Sequence, residues 1–184
     1  SDLGTSEAIY AFSANKEELW KLSGVNVTEQ GTFALNGNTL YATLKSKAGL
    51  VAVDITNGTK KWTYPTTGGD AYFPIVDKKG VVYFTEKGSQ TVYAVDADGS
   101  KVWVKKVNNN LNYSGAVLST DGVLYIGTQS NNKIFGLNTA DGSTVYEESV
   151  GQQVMASVSI GPDKRLYCGT IGASNIGSIK AFDI

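Results

Sequence analysis

A Leu-Tyr or Val-Tyr dipeptide returns every 42 residues along this chain, as Leu40-Tyr41, Val82-Tyr83, Leu124-Tyr125 and Leu166-Tyr167. A period of that length marks an array of supersecondary units, none of which can bury its apolar face alone. Four short segments recur within each period. The first covers residues 32–35, 72–76, 114–118 and 156–160, and the second, which carries the tyrosine, covers 39–44, 81–85, 123–128 and 165–170. The third covers 49–54, 91–96, 133–138 and 178–183, and the fourth, which carries an aromatic, covers 60–64, 101–105 and 143–147. Asn36-Gly37 and Asp121-Gly122 separate first from second segments; Asn57-Gly58, Asp98-Gly99 and Asp141-Gly142 separate third from fourth. Both residues of an Asn-Gly or Asp-Gly pair tolerate positive φ, so between apolar runs they signal tight hairpins.

Each unit therefore reads as a four-stranded antiparallel meander, and the chain as all-β. Meanders repeating at this period stack most naturally into a β-propeller. Two sandwiched sheets need no such regular period, and a β-helix repeats far faster. Residues 15–22 contain Lys16-Glu17-Glu18-Leu19, which favours helix, but Trp20 lies 42 residues before Trp62, so this stretch is expected to be a turn and a strand. The chain reads as one propeller domain over residues 1–184, with partial blades at 5–23 and 155–184 and complete blades at 31–65, 71–106 and 113–149. Two strands, then twelve, then three make seventeen, or about four to five blades. Three closures are open: part of a seven- or eight-bladed ring, a five-bladed ring, or a ring of two chains. An unclosed array exposes apolar blade faces, which favours self-association.

The third strand, turn and fourth strand carry a motif, Ala52-Val53-Asp54-Ile55-Thr56-Asn57-Gly58-Thr59-Lys60-Lys61-Trp62. It resembles the quinoprotein-like, or PQQ-like, propeller repeat, whose pattern is Ala-x-Asp-x-x-Thr-Gly-x-x-x-Trp. Here Asn57 stands in the threonine's place. The copy from Ala94 to Trp103 has a turn one residue shorter; the copy from Gly136 to Tyr146 keeps the spacing with softer residues; the copy from Ala11 to Trp20 is decayed. The resemblance implies that Trp20, Trp62 and Trp103, with Tyr146 as a weaker substitute, dock between neighbouring blades, the small first residue leaving them room. It also sets Asp54, Asp96 and Asp183 at a structural position, where binding a turn backbone is their expected work.

Several chemistries lack their residues. The chain has no histidine and a single cysteine, Cys168, which alternates with apolar neighbours and is expected to be a buried small hydrophobe. The absent histidine removes the usual general base and the commonest metal ligand. Charge is balanced, with 16 basic and 17 acidic residues and no basic stripe for nucleic acid. No apolar run approaches a membrane span. Quinoprotein dehydrogenases of the resembled superfamily use a quinone, a calcium ion and a carboxylate base; no candidate set is found here. The reading therefore assigns no catalytic, cofactor-binding or metal residue and no cofactor.

In propellers the inter-blade loops and the second-to-third-strand loops share one face. Polar residues expected to face a ligand there are Asp70, Tyr72, Asn108, Asn110, Asn112, Tyr113, Gln152 and Gln153, with Lys47, Glu86, Lys87, Gln90, Gln129 and Asn132 in the second-to-third loops. Amides and hydroxyls beside tyrosines suit hydrogen bonding and stacking on a protein or a glycan. The expected function is a non-enzymatic binding or assembly scaffold of the cell envelope or the extracellular space; lipoproteins that assist outer-membrane assembly also carry this repeat. A fragment of a quinoprotein-type oxidoreductase and a lectin-like sugar-binding ring are the alternatives.

Overall fold

The computed structural model describes residues 7–29, 32–107, 111, 115–172 and 176–184. Every named element among them is a strand. A hairpin of β1 (Ala8–Phe12) and β2 (Glu18–Ser23) comes first. Three four-stranded sheets follow: β3 (Phe33–Asn36), β4 (Thr39–Leu44), β5 (Gly49–Asp54) and β6 (Lys60–Tyr64); then β7 (Ala71–Val76), β8 (Val82–Glu86), β9 (Thr91–Val95) and β10 (Lys101–Lys106); then β11 (Val117–Leu118), β12 (Val123–Gly127), β13 (Lys133–Asn138) and β14 (Thr144–Ser149). These are blades I, II and III, each with its strands in sequence order and antiparallel. The last sheet, blade IV, holds β15 (Gln153–Val154), β16 (Ser159–Ile160), β17 (Arg165–Ile171) and β18 (Gly177–Asp183), with β18 at its edge. This is an all-β, partial propeller whose sheets do not close into a ring.

The third-to-fourth turns form because each is bound twice by its own side chains. In blade I, Asp54 Oδ1 accepts from the Thr56 N–H at 2.9 Å, and Asn57 Oδ1 accepts from the Thr59 N–H at 2.9 Å. Asp96 with Asp98, and Asn138 with Asp141, repeat the arrangement in blades II and III. Short polar side chains thus supply acceptors that the turning backbone lacks. Asp183 differs: its carboxylate pairs with Arg165 Nε at 2.8 Å.

Apolar packing is concentrated between sheets. One cluster joins Ile9 on the β1–β2 hairpin to Ala42, Leu44, Val51 and Val53 of blade I, with Trp20 and Leu22 against it. A second joins Tyr41, Leu50 and Ala52 to Val82, Phe84, Tyr93 and Val95, a third joins Tyr83, Val92 and Trp103 to Leu124, Ile126 and Leu137, and a fourth joins Tyr125 and Ile134 to Val154, Val158, Leu166 and Cys168. Burial pushes the Cys168 thiol pKa up. Since every cluster spans a boundary, a sheet is fully buried only when another lies on each face. Leu50, Val92 and Ile134 occupy one register position and are wholly buried, whereas Ile179 at the same position in blade IV is 82% exposed.

Each boundary is also pinned by an aromatic of the fourth strand. Trp20 Nε1 donates to the Ile55 carbonyl at 2.7 Å, Trp62 to Ala97 at 2.9 Å and Trp103 to Thr139 at 2.8 Å. Every acceptor lies in the third-to-fourth turn of the next blade. The indoles rest on those turns' glycines: a Cβ on Gly58 would come within 2.7 Å of Trp20, one on Gly99 within 3.0 Å of Trp62, and one on Gly142 within 2.8 Å of Trp103. These glycines also have φ of +73°, +89° and +72°, so they serve turn geometry and indole contact at once. Tyr146 is the weaker version, its hydroxyl 3.4 Å from the Asp183 carbonyl. Within each blade the aromatic sits directly across from a small residue, Trp62 from Ala52, Trp103 from Ala94 and Tyr146 from Gly136. Over that small residue it reaches the period-marking tyrosine, with ring centroids 5.8 Å apart for Tyr41–Trp62 and Tyr83–Trp103, and 5.5 Å for Tyr125–Tyr146.

The first strands depart from the expected pattern. In blade IV only Ser159–Ile160 of the expected strand 156–160 is a strand, β16, and β15 with Gln153 lies ahead of it in residues expected to be loop; both pair β17 across an intervening bulge, so eighteen strands are named rather than seventeen. The bulge turns the Val158 N–H onto the Gly115 carbonyl of blade III at 3.4 Å, giving an inter-blade bond in place of a ladder bond. The register of β7 also shifts between Tyr72 and Ile75, where Phe73 adopts a φ of +52°.

Trp103 is 7% exposed and makes both the apolar and the hydrogen-bonded contact. Trp103→Ala should cost about 3–5 kcal/mol. Trp103→Phe, which keeps most of the area and loses the N–H, should cost about 0.5–1.5 kcal/mol beyond its packing loss. Urea unfolding of the two variants checks both values.

Candidate functional site

The inter-blade loops and the second-to-third turns meet at one end of the sheets. The Lys47 N–H donates to the Gly69 carbonyl at 3.1 Å and the Thr66 N–H to the Lys47 carbonyl at 3.0 Å. The same clamp recurs as Val107 N to Gln90 O at 3.0 Å and Val150 N to Asn132 O at 2.7 Å. The Asx-Gly turns occupy the other end. The structure thus has a loop face and a turn face.

The expected loop-face residues fall into two groups. Asp70 and Tyr72 sit where blade I meets blade II. Asp70 Oδ1 accepts from the Ser46 N–H at 2.8 Å, and Oδ2 lies 3.4 Å from the Tyr72 hydroxyl. Burial, helped by Asp70, raises the Tyr72 pKa. Gln152 and Gln153 sit where blade III meets blade IV. Asn108, Asn110, Asn112 and Tyr113 lie outside the described residues.

Glu86 was expected in a polar loop and is instead the last residue of β8, fully buried. Its carboxyl group accepts from the Gly68 and Gly69 N–H groups, from Ser89 Oγ at 2.6 Å and from the Tyr93 hydroxyl at 2.5 Å. One side chain therefore ties the inter-blade loop to the β8–β9 turn. The Gly-Gly pair is needed for close approach: a Cβ on Gly68 would lie 2.7 Å from Glu86 Oε1, and one on Gly69 2.8 Å from the Lys87 carbonyl. Glu86 has no counterpart in other blades, where Leu44, Thr128 and Thr170 hold the position.

Among the described residues, hollows lie on both faces. On the turn face, a cavity of about 680 Å³ lies between blades II and III. Its polar groups are largely occupied by the protein itself. Asp77 Oδ1 accepts from the N–H groups of Lys79 and Val81, Asp77 Oδ2 from the Tyr83 hydroxyl, and Ser119 Oγ from the Val123 N–H. On the loop face, a cleft of about 490 Å³ between blades III and IV is lined by Ser130, Asn132, Gly151, Gln152, Gln153, Ile171 and Gly172. None of these seven side chains ionises. Here polar capacity is left over: Asn132 Oδ1 in the lining and Gln129 Oε1 beside it are buried without a hydrogen-bond partner. Their neighbour Gln152 is held rigidly, its Oε1 accepting from Thr170 Oγ1 at 2.7 Å and Ser178 Oγ at 3.0 Å.

The conspicuous carboxylates are committed to turns. The Thr56 hydroxyl and N–H hold the Asp54 pKa down, the Ser100 N–H does so for Asp98, and the Ser143 hydroxyl and N–H for Asp141. Among the described residues, no three His, Cys, Asp or Glu side chains converge as metal ligands would. No helix among them is long and apolar enough to cross a membrane.

A family model described as outer membrane protein assembly factor BamB matches residues 5–161. The chain belongs to this family of PQQ-like propellers. The crystal structure of BamB from Moraxella catarrhalis superposes with a TM-score of 0.77 at 16% identity, over 96% of this chain and 52% of that one. A chain of the mitotic checkpoint complex gives 0.73 at 17%, covering 94% and 54%. The computationally designed Ika4 protein gives 0.63 at 13%, covering 85% and 94%. At such identities the likeness is one of fold. The chain spans about half the length of the BamB chain it matches. No curated protein sequence matches it significantly.

Replacing Glu86 by Ala would leave two backbone N–H groups and two hydroxyls without their acceptor. We expect a loss of at least about 2 kcal/mol, with faster amide exchange at Gly68 and Gly69. Unchanged exchange there would show that the loop is held by other contacts.

Proposed function

We propose that this chain is a non-enzymatic scaffold of the cell envelope that binds a protein partner through its loop face, in the manner of an outer-membrane assembly factor. The observation that carries this reading is the difference between the two faces. In the turn-face cavity Asp77 and Ser119 bind the protein's own backbone, while in and beside the loop-face cleft Asn132 and Gln129 keep buried amide oxygens unpartnered. Family membership supports a protein partner, since the matching model is described as an assembly factor. Asp70, Tyr72, Gln152 and Gln153 are the proposed contact residues. Trp20, Trp62, Trp103 and Tyr146 are the proposed blade-docking residues that hold the loops at fixed spacing.

The open face of blade IV supports a second kind of contact. Ile179 stands exposed where its counterparts are covered by a further sheet, so the reading includes self-association through this face.

Biolayer interferometry of the purified chain against the soluble domains of outer-membrane assembly proteins tests the scaffold reading. We expect saturable binding, weakened by Asp70→Ala or Gln153→Ala and unaffected by Lys79→Ala on the turn face. Binding to none of these domains, or equal loss from both faces, would overturn it. Sedimentation of the wild type and Ile179→Lys tests the second contact: association should disappear in the variant, and a wild type that remains monomeric at high concentration would exclude it.

A further inference from the structure

We infer that the cleft between blades III and IV is a reader of extended, uncharged polypeptide main chain. The inference rests on the scaffold reading and narrows it to one site and one chemistry. Its walls present carboxamides of both polarities. Asn132 carries an acceptor, Oδ1, that is buried and unpartnered behind the lining and meets a ligand once the amide turns outward; Gln129 Oε1, outside the lining, is in the same state. Gln152 offers a donor. Its Oε1 is engaged by Thr170 and Ser178, which turns its NH₂ end toward Gly172 on the lining; a side chain at residue 172 would collide with that nitrogen. Gln153, exposed, adds a further carboxamide, whose Oε1 accepts only a long 3.4 Å bond from Gln129 Nε2.

A carboxamide has the same donor and acceptor as a peptide unit. Acceptor and donor presented together therefore match the N–H and C=O of a passing main chain, which bonds through its backbone whatever its side chains. The lining excludes rival ligands. The described lining has no lysine, arginine, aspartate or glutamate to favour a phosphate, a carboxylate or a cation, and the nearby Lys180 ammonium, 4.0 Å from where a side chain on Gly151 would begin, is engaged by the Val150 carbonyl at 2.6 Å. With no aromatic ring among its described residues, the lining offers no platform on which a sugar would stack. Ile171 gives a small apolar wall of the kind that receives one aliphatic side chain of an extended segment.

The backbone of the site is held in shape before any ligand arrives, and only the Asn132 amide has to turn. Asn132 has a φ of +53°, a conformation asparagine tolerates well, and its carbonyl is clamped by the Val150 N–H. A buried oxygen without a donor is costly, and an incoming N–H removes that cost. Binding thus gains from a penalty already present in the free protein.

The test is an NMR titration of the whole chain with an N-acetylated, C-amidated Ser-Thr-Val-Asn-Val-Thr-Ser peptide and, separately, with chitotetraose. The peptide should produce saturable shifts centred on Asn132, Gln152, Gln153 and Ile171. Gln153→Ala, which carries no structural load, should weaken it about tenfold, as should Asn132→Gly, which keeps the backbone conformation and removes the amide. Peptide shifts that are absent or lie elsewhere, unaltered affinity in both variants, or saturable shifts of the cleft by chitotetraose would each overturn the inference. Its failure differs from failure of the scaffold reading. Assembly domains that bind while the cleft variants leave them unaffected would remove only the cleft's role; peptide binding without assembly-domain binding would remove only the scaffold's.

Discussion

The seat that each fourth-strand aromatic finds on the next blade is the interaction on which the rest of this structure depends. A single four-stranded sheet here has no core of its own, since all four apolar clusters span boundaries. What aligns one sheet with the next must be a contact with direction, and burial alone has none. The indole supplies it twice over, through an N–H aimed at one carbonyl and a flat ring that only glycine lets approach. The small residue opposite the aromatic and the tyrosine beyond it complete a row crossing each sheet, so one repeat unit specifies both its own packing and its neighbour's position.

Much of the fold was legible in the sequence because it is carried by residues that recur. The tyrosine period, the Asx-Gly turns and the registered tryptophans each answer to one structural demand repeated blade after blade. Even the decayed first copy was legible, since Trp20 kept its spacing while helix-favouring residues surrounded it. The turn glycines were legible only in part. Their positive φ follows from the hairpin, but their contact with an indole belongs to the next repeat and cannot be read within one. The breaks in the first strands left no mark at all. One lies where Phe73 takes a positive φ and the other where the Val158 N–H bonds the Gly115 carbonyl of the neighbouring sheet, and no local propensity announces either.

The candidate site was legible as a place more than as a set of residues. Polar inter-blade loops pointed to the loop face, and Gln152 and Gln153 line a cleft there. Glu86 was misplaced because an acidic residue near a turn reads as solvated. Its burial depends on two glycines eighteen and seventeen positions away folding their N–H groups over it. The isolated Gly68-Gly69 pair was the available signal, since two adjacent glycines in a loop invite the question of what approaches them. The unpartnered oxygens of Asn132 and Gln129 had no sequence signal, because lacking a partner is a property of surroundings.

A rigid array with unrepeated loops at one end suits a scaffold: the repeating aromatics and glycines hold shape, and the loops are free to differ. That division stands or falls with the inter-blade contact. A double-mutant cycle on Trp62 and Gly99, with Trp62→Ala, Gly99→Ala and the double variant unfolded in urea, measures it directly. If the indole is seated on that glycine, the two losses overlap, and the double variant should be more stable than their sum by at least about 1 kcal/mol. Strict additivity, within about 0.3 kcal/mol, would mean that the ring and the turn act independently and would contradict the account.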